Sequence, residues 1–315
     1  MSVSLSELPK KSVYIVIPVH NRRAITVSCL QRLKALGILD CYSVVIVDDG
    51  STDGTAAAIK KKFPSVALLY GDGNLWWTGA IKLGMEYAYS RACDLIIWLN
   101  DDCFVEKRET ITSLVEAVQN SPDTIVGSLV LESANSSKVA FGGKRKNGFT
   151  YEMIKPSEPG IFNCDLLCGN LVCMSSKVIA SIGYPNVEKC PHYGGDFLFL
   201  IRARQSGYSL FLDARYPAFD AMAQHTSQTN PDGWLTGDTP IYQIFSQIFQ
   251  PQSLMSWKLW WTLFTVDYPE WGWFLFLKKF SKLFLLLSAI AALRLLPIKK
   301  RRQLSQIKRR LLSSH

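Results

Sequence analysis

The sequence predicts an α/β fold in which a mostly parallel sheet is flanked by helices. Apolar runs that suit buried strands alternate with helical patterns through the first 130 residues, and this alternation is typical of βαβ units. Several of the runs are apolar at every position, as in strands that are covered on both faces. Three of them lead directly into polar residues, at the sheet edge where α/β proteins bind ligands.

The elements follow one another in a regular order. Strands are expected over 13–18, 43–47, 66–70, 95–99 and 125–131, and helices over about 24–36, 55–62, 79–91 and 109–119. Ser, Asn, Gly and Lys dominate residues 132–165, which predicts hairpins or loops. Lys144-Arg145-Lys146 is then expected in a solvated loop, with contact to a phosphate as the alternative. Later elements are a strand over 166–174, a helix over 197–205, a strand over 209–212 and an amphipathic segment over 241–249.

Two adjacent acids follow the apolar run Leu95–Leu99. They belong to the segment Asn100-Asp101-Asp102. Carboxylates at the end of a buried strand are costly unless they are paired, and a hard cation such as Mg²⁺ takes carboxylate oxygens and shares its shell with phosphates. The simpler alternative is a solvated turn after a strand.

Two further strand ends carry polar residues. Val44–Val47 leads into Asp48 and Asp49, and the first strand leads through Pro18 towards Asn21. The carboxyl ends of parallel strands share one edge, so these residues are expected to lie together. There is no G-x-G-x-x-G after the first strand and no G-x-x-x-x-G-K-[ST] in the chain, which argues against a dinucleotide site or a P-loop.

The net charge of +9 is confined to one end of the chain. Residues 271–315 contain eleven Lys and Arg and no Asp or Glu, whereas the preceding residues carry 24 basic and 26 acidic side chains. A near-neutral body argues against nucleic acid as a partner. A basic tail rich in Trp and Leu favours an anionic membrane surface.

The longest uncharged stretch of this tail, Leu283 to Leu293, is eleven residues and too short for a bilayer, which needs about 20. We therefore expect a helix lying in the plane of the membrane surface, with a helix packed on the rest of the protein and a true span as alternatives. The eight cysteines form no CxxC pair, and residues 1–11 contain no apolar signal region. These features predict free thiols and a cytoplasmic location, peripheral on the inner face of the cell membrane.

Taken together, the ordered motifs resemble the family 2 glycosyltransferases, enzymes of the GT-A fold. The resemblance covers about residues 12–215 and rests on these segments: Ile17-Pro18-Val19-His20-Asn21-Arg22, Val47-Asp48-Asp49-Gly50-Ser51-Thr52-Asp53, Asn74-Leu75-Trp76-Trp77-Thr78-Gly79-Ala80, Asn100-Asp101-Asp102 and Gly194-Gly195-Asp196. The Trp pair is similar to members described as rhamnosyltransferase-like. The family often has Glu-Asp where this chain has Gly195-Asp196.

The resemblance implies a domain organisation. Residues 1–240 would form the GT-A domain, with a nucleotide-sugar-binding half over 12–131 and an acceptor-binding half over 132–240. Residues 241–315 would form a helical, membrane-associating extension.

It also implies an inverting, metal-dependent hexosyl transfer from a UDP- or dTDP-sugar to a hydroxyl of a glycan or lipid-linked acceptor. Asp102 would bind Mg²⁺ or Mn²⁺, and Asp101 would contact the ribose or the metal shell. Asp49 would accept the ring N–H of the base, and Asp196 would be the general base. For Asp196 a plain helix N-cap is the alternative.

The remaining candidates have less defined roles. Pro18, His20, Asn21 and Arg22 would meet the nucleotide, as would Asp48, for which a turn cap is the alternative; Asn74, Gly79 and Asn100 complete the donor site. Trp77 would offer an apolar platform to a sugar, unless the Trp pair is core. His225 would reach the metal or the diphosphate, although most isolated histidines are not ligands.

Two other functions fit the same fold. A nucleotidyltransferase would normally show a Gly-rich basic loop after the first strand, and Pro18-Val19-His20-Asn21 does not match it. A non-catalytic, membrane-associated nucleotide-sugar-binding protein is the third possibility, supported by Gly195 in place of an acid.

Overall fold

The computed structural model describes residues 12–222 and 231–313, with side chains from 12 to 222 and from 233 to 306. Contacts divide the chain into two compact units. The first comprises Met1–Pro191 and Gly195–Ala223, and the second His192–Gly194 and Gln224–His315. The domain boundary expected at residue 240 stays a prediction.

The first unit alternates strands and helices as expected through residue 131. Its elements are β1 (Val13–Val19), α1 (Arg23–Ala35), β2 (Ser43–Asp48), α2 (Thr55–Lys62), β3 (Ala67–Tyr70), α3 (Trp76–Tyr89), β4 (Leu95–Leu99), β5 (Cys103–Phe104), α4 (Glu109–Asn120), β6 (Thr124–Leu131), β7 (Val139–Phe141), β8 (Gly143–Asn147), β9 (Thr150–Met153), β10 (Ile161–Cys164), β11 (Leu166–Leu167), β12 (Leu171–Ser175), α5 (Lys177–Ile182), α6 (Gly195–Gln205) and β13 (Ser209–Asp220).

Three differences from the prediction are larger than a shift of one or two residues. The strand expected over 166–174 is two strands, because β11 joins a small sheet and β12 the large one. Helix α3 begins at Trp76 rather than at residue 79, directly after a loop that is bonded to Asp49. Strand β13 continues to Asp220 rather than ending at 212. Its register with β6 shifts between Asp213 and Ala218, and the two strands are paired on both sides of this shift.

The large sheet is mixed and mostly parallel, in the order β10-β13-β6-β12-β4-β1-β2-β3, with β5 on β13 and β7 on β6. Strands β4, β1, β2 and β3 are mutually parallel, and β12 runs antiparallel between β4 and β6. The carboxyl ends of β1, β2 and β4 therefore lie at one edge. The start of β12 lies at the same edge, because β12 is antiparallel to β4. The end of β13 also lies there, because β6 is antiparallel to β12 and β13 is parallel to β6.

Apolar side chains cover both faces of this sheet. One cluster packs β1, β2 and β4 against α1 and α4, with Leu30 and Leu114 fully buried. On the other face α3 lies close to β1, since a Cβ at Gly84 would be 2.2 Å from a Val16 methyl carbon. Trp98 of β4 is fully buried on Phe199 and donates from Nε1 to the Met85 sulfur. All eight cysteines are free, as expected.

The second unit is helical in its described part. Its elements are α7 (Pro231–Thr236), α8 (Ile241–Ser246), a 3₁₀ turn (Gln247–Phe249), α9 (Trp257–Asp267), α10 (Gly272–Leu293) and α11 (Ile298–Ser313). Phe280, Leu287 and Ile290 of α10 pack into its apolar core. None of the described helices has the length and apolar character needed to cross a bilayer.

Candidate active site

The acid pair at the end of β4 is held by Arg22. Its Nη2 donates to Asp102 Oδ2 at 2.7 Å, and its Nη1 lies 3.2 Å from Asp101 Oδ1. The Thr26 hydroxyl donates to Asp101 Oδ2 at 2.8 Å. Arg22 and Thr26 lie at the start of α1, so the polar residues after β1 and β4 meet as expected.

Burial changes the chemistry of this pair. The Asp101 side chain is only 1% exposed, and desolvation raises its pKa to about 6, although Arg22 opposes the shift. Burial lowers the pKa of Arg22, but the neighbouring Asp101 and Asp102 outweigh it and leave the pKa raised. Asp102 is 21% exposed and is the more accessible carboxylate.

Asp49 anchors the loop that follows β3. Its Oδ1 accepts the backbone N–H groups of Gly73 and Leu75, and its Oδ2 accepts that of Trp76 at 2.9 Å. A Cβ at Gly71 would be 2.4 Å from Asp49 Oδ1, so the loop approaches the carboxylate closely. The expected contact of Asp49 with a base stays a prediction, and the contact present is with the loop.

The residues after β1 join the turn after β2. Asn21 has a positive φ of 50°, and its Oδ1 accepts the Thr52 N–H at 2.7 Å. His20 Nδ1 donates to the backbone carbonyl of Asp49, and Asp48 Oδ1 accepts the Ser51 N–H. Asp48 therefore caps a turn, and its expected contact with the nucleotide stays a prediction, while Pro18 lies within β1 opposite Val47.

Trp77 of α3 is hydrogen-bonded to Asn100 at the end of β4. Its Nε1 donates to Asn100 Oδ1 at 2.8 Å, and its ring meets Trp98 edge-on at 5.5 Å. Trp77 is thus partly core and partly exposed, whereas Trp76 is 40% exposed. Asn74 is exposed in the loop, and Gly79 is buried within α3, where a Cβ would be 3.2 Å from that of Leu75.

Asp196 lies in the first turn of α6 and contacts the loop before β12. Its Oδ2 accepts the Gly169 N–H at 2.9 Å. A Cβ at Gly169 would be 2.7 Å from the Asp196 Cβ and 3.0 Å from Trp77, so Gly169 lies tightly between them. Burial raises the pKa of Asp196, and the Gly169 N–H opposes the shift. Such a carboxyl is suited to accept a proton nearer neutral pH than an ordinary aspartate.

The packing of α6 explains why glycine precedes Asp196. A Cβ at Gly195 would be 2.0 Å from the Thr78 hydroxyl oxygen, so α3 leaves no space for a side chain at this position. A second acid at this position would therefore require α3 and α6 to move apart.

Lys144 and Asp220 are among the residues near the site that were not predicted from the sequence. Lys144 lies in β8 rather than in a solvated loop, with its Nζ 4.6 Å from the Phe197 ring centre, and its charge lowers the pKa of Asp196. The prediction of a solvated loop is therefore wrong for Lys144. Asp220 ends β13 beside Cys103, and its charge raises the pKa of Arg22. Its signal was hidden because β13 was expected to end at residue 212.

The residues present fit one divalent cation that is shared with a ligand. No group of three or more His, Cys, Asp or Glu that could hold a metal occurs among the described side chains. Within the described part of the chain, Oδ1 of Asp102 has no hydrogen-bond donor. Mg²⁺ commonly takes one or two carboxylates and completes its shell with phosphates and water. His225 lies outside the described residues.

The fold and the acid-lined edge define a class. A mixed sheet flanked by helices, with acids after β2 and β4, is the GT-A architecture of glycosyltransferases, and the expected fold is confirmed. Residues 14–167 match the family model described as Glycosyl transferase family 2. The match supports a nucleotide-sugar glycosyltransferase.

One curated relative is similar to part of the chain. It is an undecaprenyl-phosphate 4-deoxy-4-formamido-L-arabinose transferase of Aeromonas hydrophila subsp. hydrophila, 35% identical over 124 residues. The match covers 36% of this chain and 36% of the relative, about a third of each.

Two solved structures have the same fold. The mannosyltransferase PcManGT of Pyrobaculum calidifontis, in complex with GDP-Man and Mn²⁺, has a TM-score of 0.52 and 16% identity, and the match covers 96% of this chain and 86% of that one. GalNAc-T7 with UDP, GalNAc and Mn²⁺ has a TM-score of 0.56 and 14% identity, with 76% and 48% covered. At these identities the likeness shows the fold alone.

Proposed function

We propose that this protein is an inverting, metal-dependent hexosyltransferase, rhamnosyltransferase-like in type. It would transfer a sugar from a UDP- or dTDP-sugar to a hydroxyl of a glycan or lipid-linked acceptor in cell-surface polysaccharide synthesis. One observation carries the proposal. Trp77 lies between the acid pair after β4, through Asn100, and the half-buried Asp196, through Gly169.

The donor diphosphate would bind beside Asp102. A divalent cation, Mg²⁺ or Mn²⁺, would neutralise the charge that develops on the leaving diphosphate. Asp102 would hold it through Oδ1, and Asp101 would orient the ribose or the metal shell. The two solved structures above contain Mn²⁺ together with GDP-Man or UDP, which supports this choice of ligands.

Asp49 would act on the donor through the loop over residues 71–76. Because three backbone N–H groups of this loop are bonded to its carboxylate, Asp49 would position the loop and present a remaining lone pair to the ring N–H of the base. Asn21 would support the neighbouring turn through Thr52.

Asp196 would take the proton of the acceptor hydroxyl. The Gly169 N–H donates to its Oδ2 and would keep the carboxylate oriented towards the acceptor. Attack would come from the face opposite the leaving diphosphate and would invert the anomeric centre. Trp77 would offer an apolar face to the sugar, and Lys144 would orient a polar group of the acceptor.

The second unit would bind the cytoplasmic face of the membrane. Exposed apolar side chains lie three, four or seven residues apart along α10, and the most exposed of these are Trp273, Leu277, Phe284 and Leu285. Exposed Lys278 and Lys282 flank this stripe. Such a helix lies in the interface with its lysines towards anionic headgroups. The relative named for undecaprenyl phosphate supports a lipid-linked acceptor.

Not all basic residues of this segment would take part. Lys279 lies over the Trp260 ring at 3.6 Å, and burial lowers its pKa. Arg294 donates to the backbone carbonyls of Trp234, Gly237 and Thr239.

Two variants test the catalytic proposal. In assays with Mn²⁺ and a panel of nucleotide sugars, Asp196→Asn should abolish transfer and leave donor binding intact, whereas Asp102→Ala should also weaken donor binding. Asp123→Asn, at an exposed aspartate, is the control and should transfer normally. Wild-type activity should fall with decreasing pH, with a midpoint above the ordinary aspartate pKa. Loss of donor binding in both variants would contradict the assigned roles.

Vesicle flotation tests the membrane proposal. Leu285→Glu should reduce binding to vesicles that contain anionic lipid, because it places a charge in the stripe. Ile161→Glu, at an exposed apolar residue of the first unit, should leave binding unchanged. Equal binding of both variants, or no binding by the wild type at low salt, would remove the interfacial role of α10.

A further inference from the structure

We infer that Arg22 is an internal counter-ion that couples metal binding to donor binding. It would pair with Asp101 and Asp102 while the donor is absent, and would transfer to the diphosphate when cation and donor bind together. The inference rests on the proposed function of this site and deepens it, because it assigns Arg22 control over the order in which the ligands bind.

Arg22 neutralises both acids at once. Its two terminal nitrogens contact one oxygen each of Asp101 and Asp102, and Thr26 occupies the second oxygen of Asp101. Three of the four carboxylate oxygens are therefore engaged by the described residues. The Arg22 guanidinium therefore already supplies a positive charge to the acid pair.

A divalent cation on Asp102 would lie next to the guanidinium. Two positive charges this close in a poorly solvated site repel strongly. Arg22 would therefore weaken the binding of a cation on its own. If the cation displaced Arg22 from the acid pair, the buried charge of Asp101 would lose its partner, and this also opposes binding of the cation on its own.

A nucleoside diphosphate would offset the repulsion between the cation and Arg22. Its phosphate oxygens are bidentate acceptors for a guanidinium, and they bring the negative charge that a cation and Arg22 can share. The side chain of Arg22 is 32% exposed and so has access to solvent. Its backbone would stay in place, because the Arg22 carbonyl accepts the N–H and the hydroxyl of Thr26 at the start of α1.

Reciprocity makes the coupling measurable. If the donor diphosphate raises the affinity for the cation, the cation raises the affinity for the diphosphate by the same factor. In the wild type, Mn²⁺ alone should bind weakly, and UDP, dTDP or GDP should tighten its binding at least tenfold. In Arg22→Gln, Mn²⁺ alone should bind more tightly, and the coupling factor should fall towards one.

The test uses the full chain and needs no turnover. Free Mn²⁺ is measured by electron paramagnetic resonance with and without each nucleotide, and nucleotide affinity is measured by calorimetry with and without Mn²⁺. Arg23→Gln is the matched control, because Arg23 is the exposed neighbour of Arg22 in α1 and should behave like the wild type. Arg22→Lys keeps the charge but cannot bridge two carboxylates, so its coupling should fall between those of the wild type and Arg22→Gln.

The outcomes separate this inference from the proposed function. If the wild type shows Mn²⁺-dependent nucleotide binding and Arg22→Gln shows the same coupling, the counter-ion role is overturned and the proposed function stands. Weaker binding of Mn²⁺ alone by a folded Arg22→Gln would also overturn it, since Arg22 would then serve only to orient the acids. Absence of Mn²⁺ and nucleotide binding in the wild type would overturn both.

Discussion

The buried carboxyl of Asp101 should make the stability of the protein depend on pH in an unusual direction. Most paired aspartates stabilise a fold as the pH rises, because their folded-state pKa is lowered. Asp101 has a raised pKa, since it is desolvated at the end of β4 and Arg22 compensates only in part. The folded protein therefore holds the proton of Asp101 more tightly than the unfolded chain does.

The magnitude follows from the two pKa values. In the unfolded chain Asp101 would titrate near its ordinary value of 3.8, and in the folded protein near 6. The contribution of Asp101 to the free energy of unfolding is largest at low pH and is lost as the pH rises from about 4 to about 6. Above about pH 6 the free energy of unfolding no longer changes through this group. The difference corresponds to about 3 kcal/mol in total, of which about 2 kcal/mol falls between pH 4.5 and 7.

The pH-dependent contribution of Asp101 is measured by urea unfolding of the wild type and Asp101→Asn. EDTA is present, and tryptophan fluorescence is the signal. The free energy of unfolding of the wild type should decrease relative to that of Asp101→Asn by about 2 kcal/mol from pH 4.5 to 7. Asp123→Asn removes an exposed carboxyl without touching the buried pair and serves as the control. A constant difference between wild type and Asp101→Asn, or one that grows with pH, would refute the burial argument.

Three other substitutions test the packing of the site and of the second unit. Gly195→Ala should destabilise the protein by about 1–3 kcal/mol, because its Cβ would meet the Thr78 hydroxyl, and adding Thr78→Ala should restore most of the loss in thermal unfolding. Asp49→Ala should cost about 2 kcal/mol and accelerate amide exchange in the loop over residues 71–76, since three N–H groups lose their acceptor; unchanged exchange would contradict the anchoring role. Arg294→Met should destabilise the second unit by about 1–3 kcal/mol through the loss of three bonds to carbonyls, whereas Lys282→Met, exposed on the same helix, should not.

The strands and the position of the acids were predictable because both depend on local pattern. Apolar runs such as Leu95–Leu99 identify buried strands without reference to the rest of the chain. The carboxyl ends of parallel strands must share an edge, so the meeting of Arg22 with Asp102 was within reach of the sequence. The role of Arg22 as a bridge between two acids was not, because it depends on side-chain geometry across 80 positions.

Other parts of the site depend on strand order. Strand β12 enters between β4 and β6 in the antiparallel direction and thereby brings Gly169 to the edge where Asp102 lies. Gly169 and Asp196 then meet across 27 positions. No local sequence pattern predicts this insertion. Nor does any local pattern predict that Asp220 lies at the end of β13 beside Cys103.

The sequence by itself determined which segments are buried strands, where carboxylates follow them, and that the basic charge is confined to the last 45 residues. Only the tertiary structure decided the partners of each carboxylate: a guanidinium for Asp101 and Asp102, loop amides for Asp49 and the Gly169 N–H for Asp196. The physical reason is the range of the interactions. Burial and turn preference act over a few neighbouring residues, whereas desolvation and pairing of a charge depend on every element that packs around it.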